Sequence, residues 1–193
     1  TALGAASLMA LTACSGGTAS SSQSSTSAAA SSSSSAPSSI TIESDQGNVE
    51  VKLPVQRVAS LDNRTFEVLE QWNVPLVAAP KKLIPSTVKA YNTDSVADIG
   101  MHRDPNLEAL AASNPDLIIS GQRFTRFDSQ IAEMNPGVPM INLEPRDGKP
   151  LNEELIRQVT DLGEIFGHQE DAKKLVDDFN NALNRAKKAY DGK

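Results

Sequence analysis

The chain has 193 residues, with 18 Lys plus Arg against 24 Asp plus Glu and a net charge of −6. With no basic run and no interleaving of aromatic and basic residues, that balance argues against a nucleic-acid partner. The single cysteine, Cys14, excludes an intrachain disulfide.

Residues 1–13 (TALGAASLMALTA) form an uncharged apolar stretch ending in small residues. It is shorter than the roughly 20 apolar residues of a membrane-spanning helix and matches the hydrophobic core and cleavage region of a secretion signal. No Met starts the sequence and no basic segment leads it, so the natural N-terminus is expected to lie further upstream. Leu11-Thr12-Ala13-Cys14 resembles the bacterial lipobox, in which small residues admit the peptidase and the thiol takes the lipid as a thioether. Residues 1–14 are thus read as a signal remnant ending in a lipidation site at Cys14. Residues 15–39 are low-complexity Ser/Ala with no apolar surface to bury, which predicts a flexible tether. Signal, lipobox and tether predict a protein held by lipid on the extracytoplasmic face of the cell membrane.

From Ile40 onward about 150 residues remain, enough for one compact domain. Residues 40–42 and 49–53 alternate apolar and polar around Asp45-Gln46-Gly47, which predicts a hairpin. Short strands are predicted at 57–61, 76–79, 96–100, 116–120 and 138–143. Between them, helices are predicted at 65–72, 84–91, 106–112 and 124–134. From Leu151 the pattern becomes purely helical: Leu155, Ile156, Val159, Leu162, Ile165 and Phe166 recur at helical spacing, Gly167 interrupts, and a second helix runs from Gln169 to the end. Strands alternating with helices mean an α/β fold with a central, mostly parallel sheet.

In such sheets ligands sit beyond the carboxyl ends of the strands. Those exits here read Asp62-Asn63-Arg64, Met101-His102-Arg103, Gly121-Gln122-Arg123 and Glu144-Pro145-Arg146, so four successive exits each carry an arginine. Together they would make a positive mouth on an acidic protein, able to focus anions and to bind oxygen atoms in fork geometry. In the segment LIISGQRFTRFD, residues 117–128, Arg123 and Arg126 stand where a helix should begin. A helix N-terminus favours anions, so cations there imply an anionic ligand; Arg126 could instead point outward and pair with an acid.

The order of RVASL (57–61), VADIG (96–100) and above all NLEALAASNPDLIISG (106–121) resembles iron-siderophore substrate-binding lipoproteins of ABC importers. The resemblance covers nearly the whole chain beyond Ile40, and it agrees with the lipobox and tether. It implies two Rossmann-like lobes facing one another across a cleft, joined by a long helix. On that basis residues 40–168 are the N-terminal ligand-binding lobe, 169–193 begin the interlobe helix, and the second lobe is absent from this chain. The implied function is capture of a ferric siderophore, anionic and catecholate-type or mixed, and its delivery to an ABC permease.

Carried over by position, the resemblance places Gln122 and Arg123 against the chelate. The catecholate-binding branch has Gly-Arg-Gln where this chain has Gly121-Gln122-Arg123. Neighbours on an extended loop point oppositely, so either residue can face the cleft, with Arg123 the better match to an anion. Asn63 and Arg64 match the first loop lining the cleft, and His102 and Arg103 the second. Glu108 matches a carboxylate that docks on permease arginines; its bland reading is an exposed acid favoured by a helix N-terminus.

Catalytic machinery is not legible. There is no G-x-S-x-G elbow, no G-x-G-x-x-G after a strand and no Walker loop. The two histidines, His102 and His168, are far apart, with His168 read as a surface residue at the start of the last helix, and they offer no metal cluster. The expectation is therefore a binding protein with no catalytic residue, no protein-held metal and no cofactor, whose iron arrives already chelated. The alternative is haem or cobalamin on the same scaffold, for which Tyr91 and His102 are the axial candidates. An extracytoplasmic hydrolase and a purely structural surface lipoprotein rank below both.

Overall fold

A computed structural model describes residues 37–191. The apolar leader, Cys14, residues 15–36 of the Ser/Ala stretch and residues 192–193 lie outside the described residues. The chain opens with β1 (Ser39–Ser44) and β2 (Gly47–Lys52), an antiparallel hairpin in the expected place. Gly47, with φ +113°, takes the turn backbone that a side chain would resist. There follow β3 (Val58–Ser60), α1 (Phe66–Gln71), β4 (Leu76–Ala79), β5 (Ala97–Asp98), and a two-residue antiparallel pair, β6 (Gly100–Met101) and β7 (Asp104–Pro105). Then come α2 (Leu107–Ala112), β8 (Leu117–Ser120), α3 (Asp128–Met134), β9 (Met140–Asn142), α4 (Leu151–Phe166) and α5 (Gln169–Asp191).

The central sheet is fully parallel, in the order β5-β4-β3-β8-β9. Both faces are covered, which is why β3 and β8 read as unbroken apolar runs rather than alternating ones. Period-two geometry divides them: Val58, Leu117 and Ile119 pack with Phe66, Leu69, Leu162 and Ile165 on one face. Ala59 and Ile118 pack with Leu110, Phe124 and Ile131 on the other. The hairpin closes over β9, where Asn142 N–H donates to Ser44 Oγ at 2.8 Å and Asp45 N–H donates to the Asn142 carbonyl at 2.8 Å.

The chain winds outward from β3 through β4 to β5, then returns to the other side of β3 for β8 and β9. The direction of winding reverses between β3 and β8, so their carboxyl ends splay apart and leave a crevice. At the other end, Gly167 takes a left-handed φ of +74° that stops α4, and His168 N–H donates back to the Gly163 carbonyl at 2.8 Å. Gly163 has no room for a side chain, since a Cβ there would sit 2.6 Å from Ala172 Cβ on α5. Among the described residues no helix is long and apolar enough to cross a membrane.

Three predicted elements differ, the first being the 96–100 strand, which ends at Asp98 and leaves Gly100–Met101 to the separate β6–β7 pair. Residues 84–91 are not a helix: a short 3-10 turn at Lys81–Leu83 is followed by irregular backbone. Pro85 forces Ile84 into an extended conformation (ψ 128°). The Glu70 carboxylate then accepts from Lys89 N–H at 2.6 Å and Ala90 N–H at 2.7 Å, satisfying donors a helix would have used internally. The predicted 124–134 helix divides in two, a 3-10 segment at Gln122–Phe127 and then α3. The N-terminus of α3 therefore carries Asp128 rather than the arginines.

Candidate functional site

The crevice is built from the exits of β3 and β8, with the β6–β7 turn as its far wall. On the β3 side, Asp62 is fully buried and collects donors from three directions. Arg64 grips it with Nε at 3.0 Å from Oδ1 and Nη2 at 2.6 Å from Oδ2, and Arg64 N–H donates to Oδ1 at 2.9 Å. From α4, Gln158 Nε2 reaches Oδ2 at 3.4 Å; from the β8 exit, Gln122 Nε2 reaches Oδ1 at 3.2 Å. A buried carboxylate is sustainable only with this kind of satisfaction.

The β8 exit is shaped by the same carboxylate. A Cβ on Gly121 would meet Asp62 Oδ2 at 2.8 Å, so only glycine lets the two loops approach this closely. Gln122 follows with φ +53°, a left-handed backbone costing a non-glycine residue roughly 1 kcal/mol. It is held there by its N–H donating to Glu144 Oε1 at 2.5 Å and by its side-chain amide bonding Asp62 and Asn63. The side chain of Gln122 thus folds back onto the β3 exit, and the next residue, Arg123, projects the other way. Its Nη1 lies 3.4 Å from His102 Nε2.

His102 and Arg103 occupy the turn between β6 and β7. The His102 ring meets Phe124 edge-on, with centroids 6.4 Å apart, and its backbone carbonyl accepts from Arg126 Nη2. Arg126 also covers the Phe127 ring at 4.6 Å. It is bound to a carbonyl and a ring, with no acid as partner among the described residues. Desolvation first, then Arg123, Arg103 and Arg126, hold the His102 imidazole below its ordinary pKa. The positive charge of this wall thus comes first from the arginines. The resulting crevice, of about 230 Å³, is lined by Leu61, Asn63, Leu83, His102, Gln122, Arg123 and Phe124.

The structure brings Asn63, His102, Gln122 and Arg123 together around this space. Arg64 stands beside it, turned onto Asp62 and 3.7 Å from Glu144; Arg103 is exposed at the hairpin turn. Glu108 lies apart, exposed in the first turn of α2, whose N-cap Asn106 accepts from Ala109 N–H at 2.9 Å.

The pattern of four equivalent arginines does not survive folding. Arg146 belongs to a different network, with Nη2 at 2.7 Å from buried Glu154 and Nη1 at 2.5 Å from Glu43. Tyr91 is no axial candidate: it is buried, donates to the Val74 carbonyl at 2.8 Å, and has its phenol pKa pushed up by burial and by Glu70. His168 stacks flat on Trp72, with centroids 5.2 Å apart, and bonds Asp171. A larger, mostly apolar groove of about 860 Å³ beside that stack lies away from the strand exits that carry the arginines.

Sequence reading missed Asp62, Glu144 and Gln158. An acid immediately after a buried strand was a usable signal for Asp62, since that position faces the crevice mouth. Nothing local marks Gln158, which is 96 positions away on a helix.

The periplasmic binding protein family matches residues 58–193. The ferric-anguibactin-binding protein FatB of Vibrio anguillarum is 32% identical over 139 residues, covering 71% of this chain and 43% of that protein. The petrobactin-binding protein YclQ of Bacillus subtilis is 22% identical over 146 residues; its crystal structure superposes with a TM-score of 0.69, covering 78% of this chain and 53% of that one. The siderophore-binding protein BauB, solved with two acinetobactin molecules and ferric iron, shares the fold at a TM-score of 0.68 and 24% identity, covering 76% of this chain and 52% of that one. The chain thus spans about half the length of the relatives it matches. With more than two thirds of its sequence matched, this chain belongs to the periplasmic binding protein family.

Proposed function

We propose that this chain is the N-terminal lobe of an extracytoplasmic solute-binding protein that captures a ferric siderophore and passes it to an ABC permease. The observation that carries this reading is the convergence of Arg123, Gln122, Asn63 and His102 on the crevice between the β3 and β8 exits. The 32% identity to FatB, a ferric-anguibactin-binding protein, supports a ferric siderophore as the ligand class. In this reading Arg123 makes the main ionic contact with chelate oxygens, and Asn63 and Gln122 supply hydrogen bonds. Arg103 contributes longer-range positive charge, while Arg64 holds the β3 exit in place through Asp62. Residues 1–14 carry the signal and the lipidated Cys14, residues 15–39 the tether, and residues 40–168 the lobe. The helix from 169 leads to a second lobe, and Glu108 docks on permease arginines.

Haem or cobalamin is the second reading, favoured by one observation, the His102 imidazole lining the crevice wall with its pKa held down by desolvation and the nearby arginines. Isothermal titration of the full-length protein with a ferric catecholate, a ferric hydroxamate, haem and cobalamin separates the two. Saturable binding of one ferric chelate, weakened about tenfold by Arg123→Ala, is the expected result. Binding confined to haem or cobalamin, and lost in His102→Ala, would replace it with the second.

A further inference from the structure

The crevice is electrically two-sided. One wall carries Arg123, Arg103 and Arg126 around His102. Behind the lining residues Asn63 and Gln122 on the opposite side stand two carboxylates, Asp62 and Glu144, with Arg64 against both and Arg157 on the Glu144 carbonyl at 2.9 Å. Asp62 is consumed by its bidentate pair and by Gln122 and Gln158. Glu144 is not: its carboxylate accepts one strong bond from Gln122 N–H at 2.5 Å, its nearest cation is 3.7 Å away, and its side chain is 29% exposed. The excess negative charge on that wall therefore resides at Glu144, directly behind the β8 exit loop.

We infer that Glu144 makes this site discriminate by chelate charge, favouring ferric siderophores of low net charge over the trianionic ferric tris-catecholates. This rests on the siderophore reading and refines it. Anionic oxygens of the chelate face the Arg123 wall, while its neutral or donor-bearing side faces Asn63 and Gln122, with the Glu144 charge behind them. A trianion filling the crevice would satisfy the first wall and be repelled by the second. A neutral ferric tris-hydroxamate, or a mixed complex with little net charge, meets no such repulsion.

The test is isothermal titration of the full-length protein and its Glu144→Gln variant with two probes, a ferric tris-catecholate and a ferric tris-hydroxamate, at low ionic strength. Glutamine keeps an oxygen that can accept the Gln122 N–H, so an unchanged Tm and circular dichroism spectrum are expected of the variant. Glu144→Gln should tighten the tris-catecholate by about tenfold, the effect of one unit charge on a trianion at roughly 8 Å in a water-like dielectric. It should leave the tris-hydroxamate within about twofold, and the difference should shrink as salt is raised. An equal change for both probes, or none for either, overturns the inference while leaving siderophore capture standing. If neither protein binds either chelate, the siderophore reading falls and takes this one with it.

Discussion

Arg123 and Arg146 look alike in the sequence. Each follows a parallel strand by a few residues, in a loop at the same edge of the sheet, in an otherwise acidic protein. Their surroundings differ. Arg146 meets Glu154, a carboxylate only 2% exposed in the first turn of α4, and shares it with Arg157, whose Nη2 lies 2.9 Å away. It fastens the loop after β9 to α4 and, through Glu43, to the hairpin. Arg123 has no carboxylate partner among the described residues; it leans on the His102 imidazole and stays exposed. A guanidinium answered by a buried acid is a fastening, whereas one left facing a crevice is available to something from outside. The difference lies in what distant segments bring to the two arginines.

The comparison can be broken most forcefully at Glu154. Its replacement by Ala leaves Arg146 and Arg157 facing each other with no acid between them, and should lower Tm by about 6–10 °C in differential scanning calorimetry. A loss under about 2 °C would remove Arg146 from the class of fastened arginines. Next in size is Gly121→Ala, which drives a methyl group into the Asp62 carboxylate. About 1–3 kcal/mol of stability should go, read as a lower urea midpoint, together with most chelate binding.

The two arginines themselves should then dissociate stability from affinity. Arg146→Ala should lower Tm by several degrees and leave ligand affinity within about twofold. Arg123→Ala should keep Tm within about 1 °C and weaken binding about tenfold. Finding both variants equally impaired in both measurements would erase the distinction.

The smallest effects lie in the pH dependence around α4. Hydrogen bonds from Arg146 hold the Glu154 carboxyl down at about 2, against an ordinary 4.5. The stability this group provides is complete above 4.5 and is lost as pH falls toward 2. Burial pushes neighbouring Asp161 up to about 6 from an ordinary 3.8. Its contribution has the opposite sign, being complete below 3.8 and lost as pH rises through 6. Asp161→Asn should therefore raise Tm by a few degrees at pH 7 and change nothing near pH 3.5. An unaltered Tm profile between pH 4 and 7 would contradict that assignment.

Much of this molecule was determined locally. Alternation around Asp45-Gln46-Gly47 dictated the hairpin, unbroken apolar runs at 58–60 and 117–120 dictated strands buried on both faces, and helical spacing with Gly167 divided α4 from α5, because those signals act over a few residues. Positions 84–91 escaped that reading, since Pro85 and the Glu70 carboxylate from another helix redirect the backbone. The candidate site was half legible: position named the strand exits and their arginines, and the family resemblance picked out Gln122, Arg123, Asn63 and His102 among them. Only the tertiary structure decided which arginines are free. Asp62 finds Gln122 across 60 positions and Gln158 across 96, and Arg146 finds Glu43 across 103. A charge in a buried or half-buried place is governed by its nearest opposite charge, and in a wound parallel sheet that neighbour comes from a segment that sequence spacing does not identify.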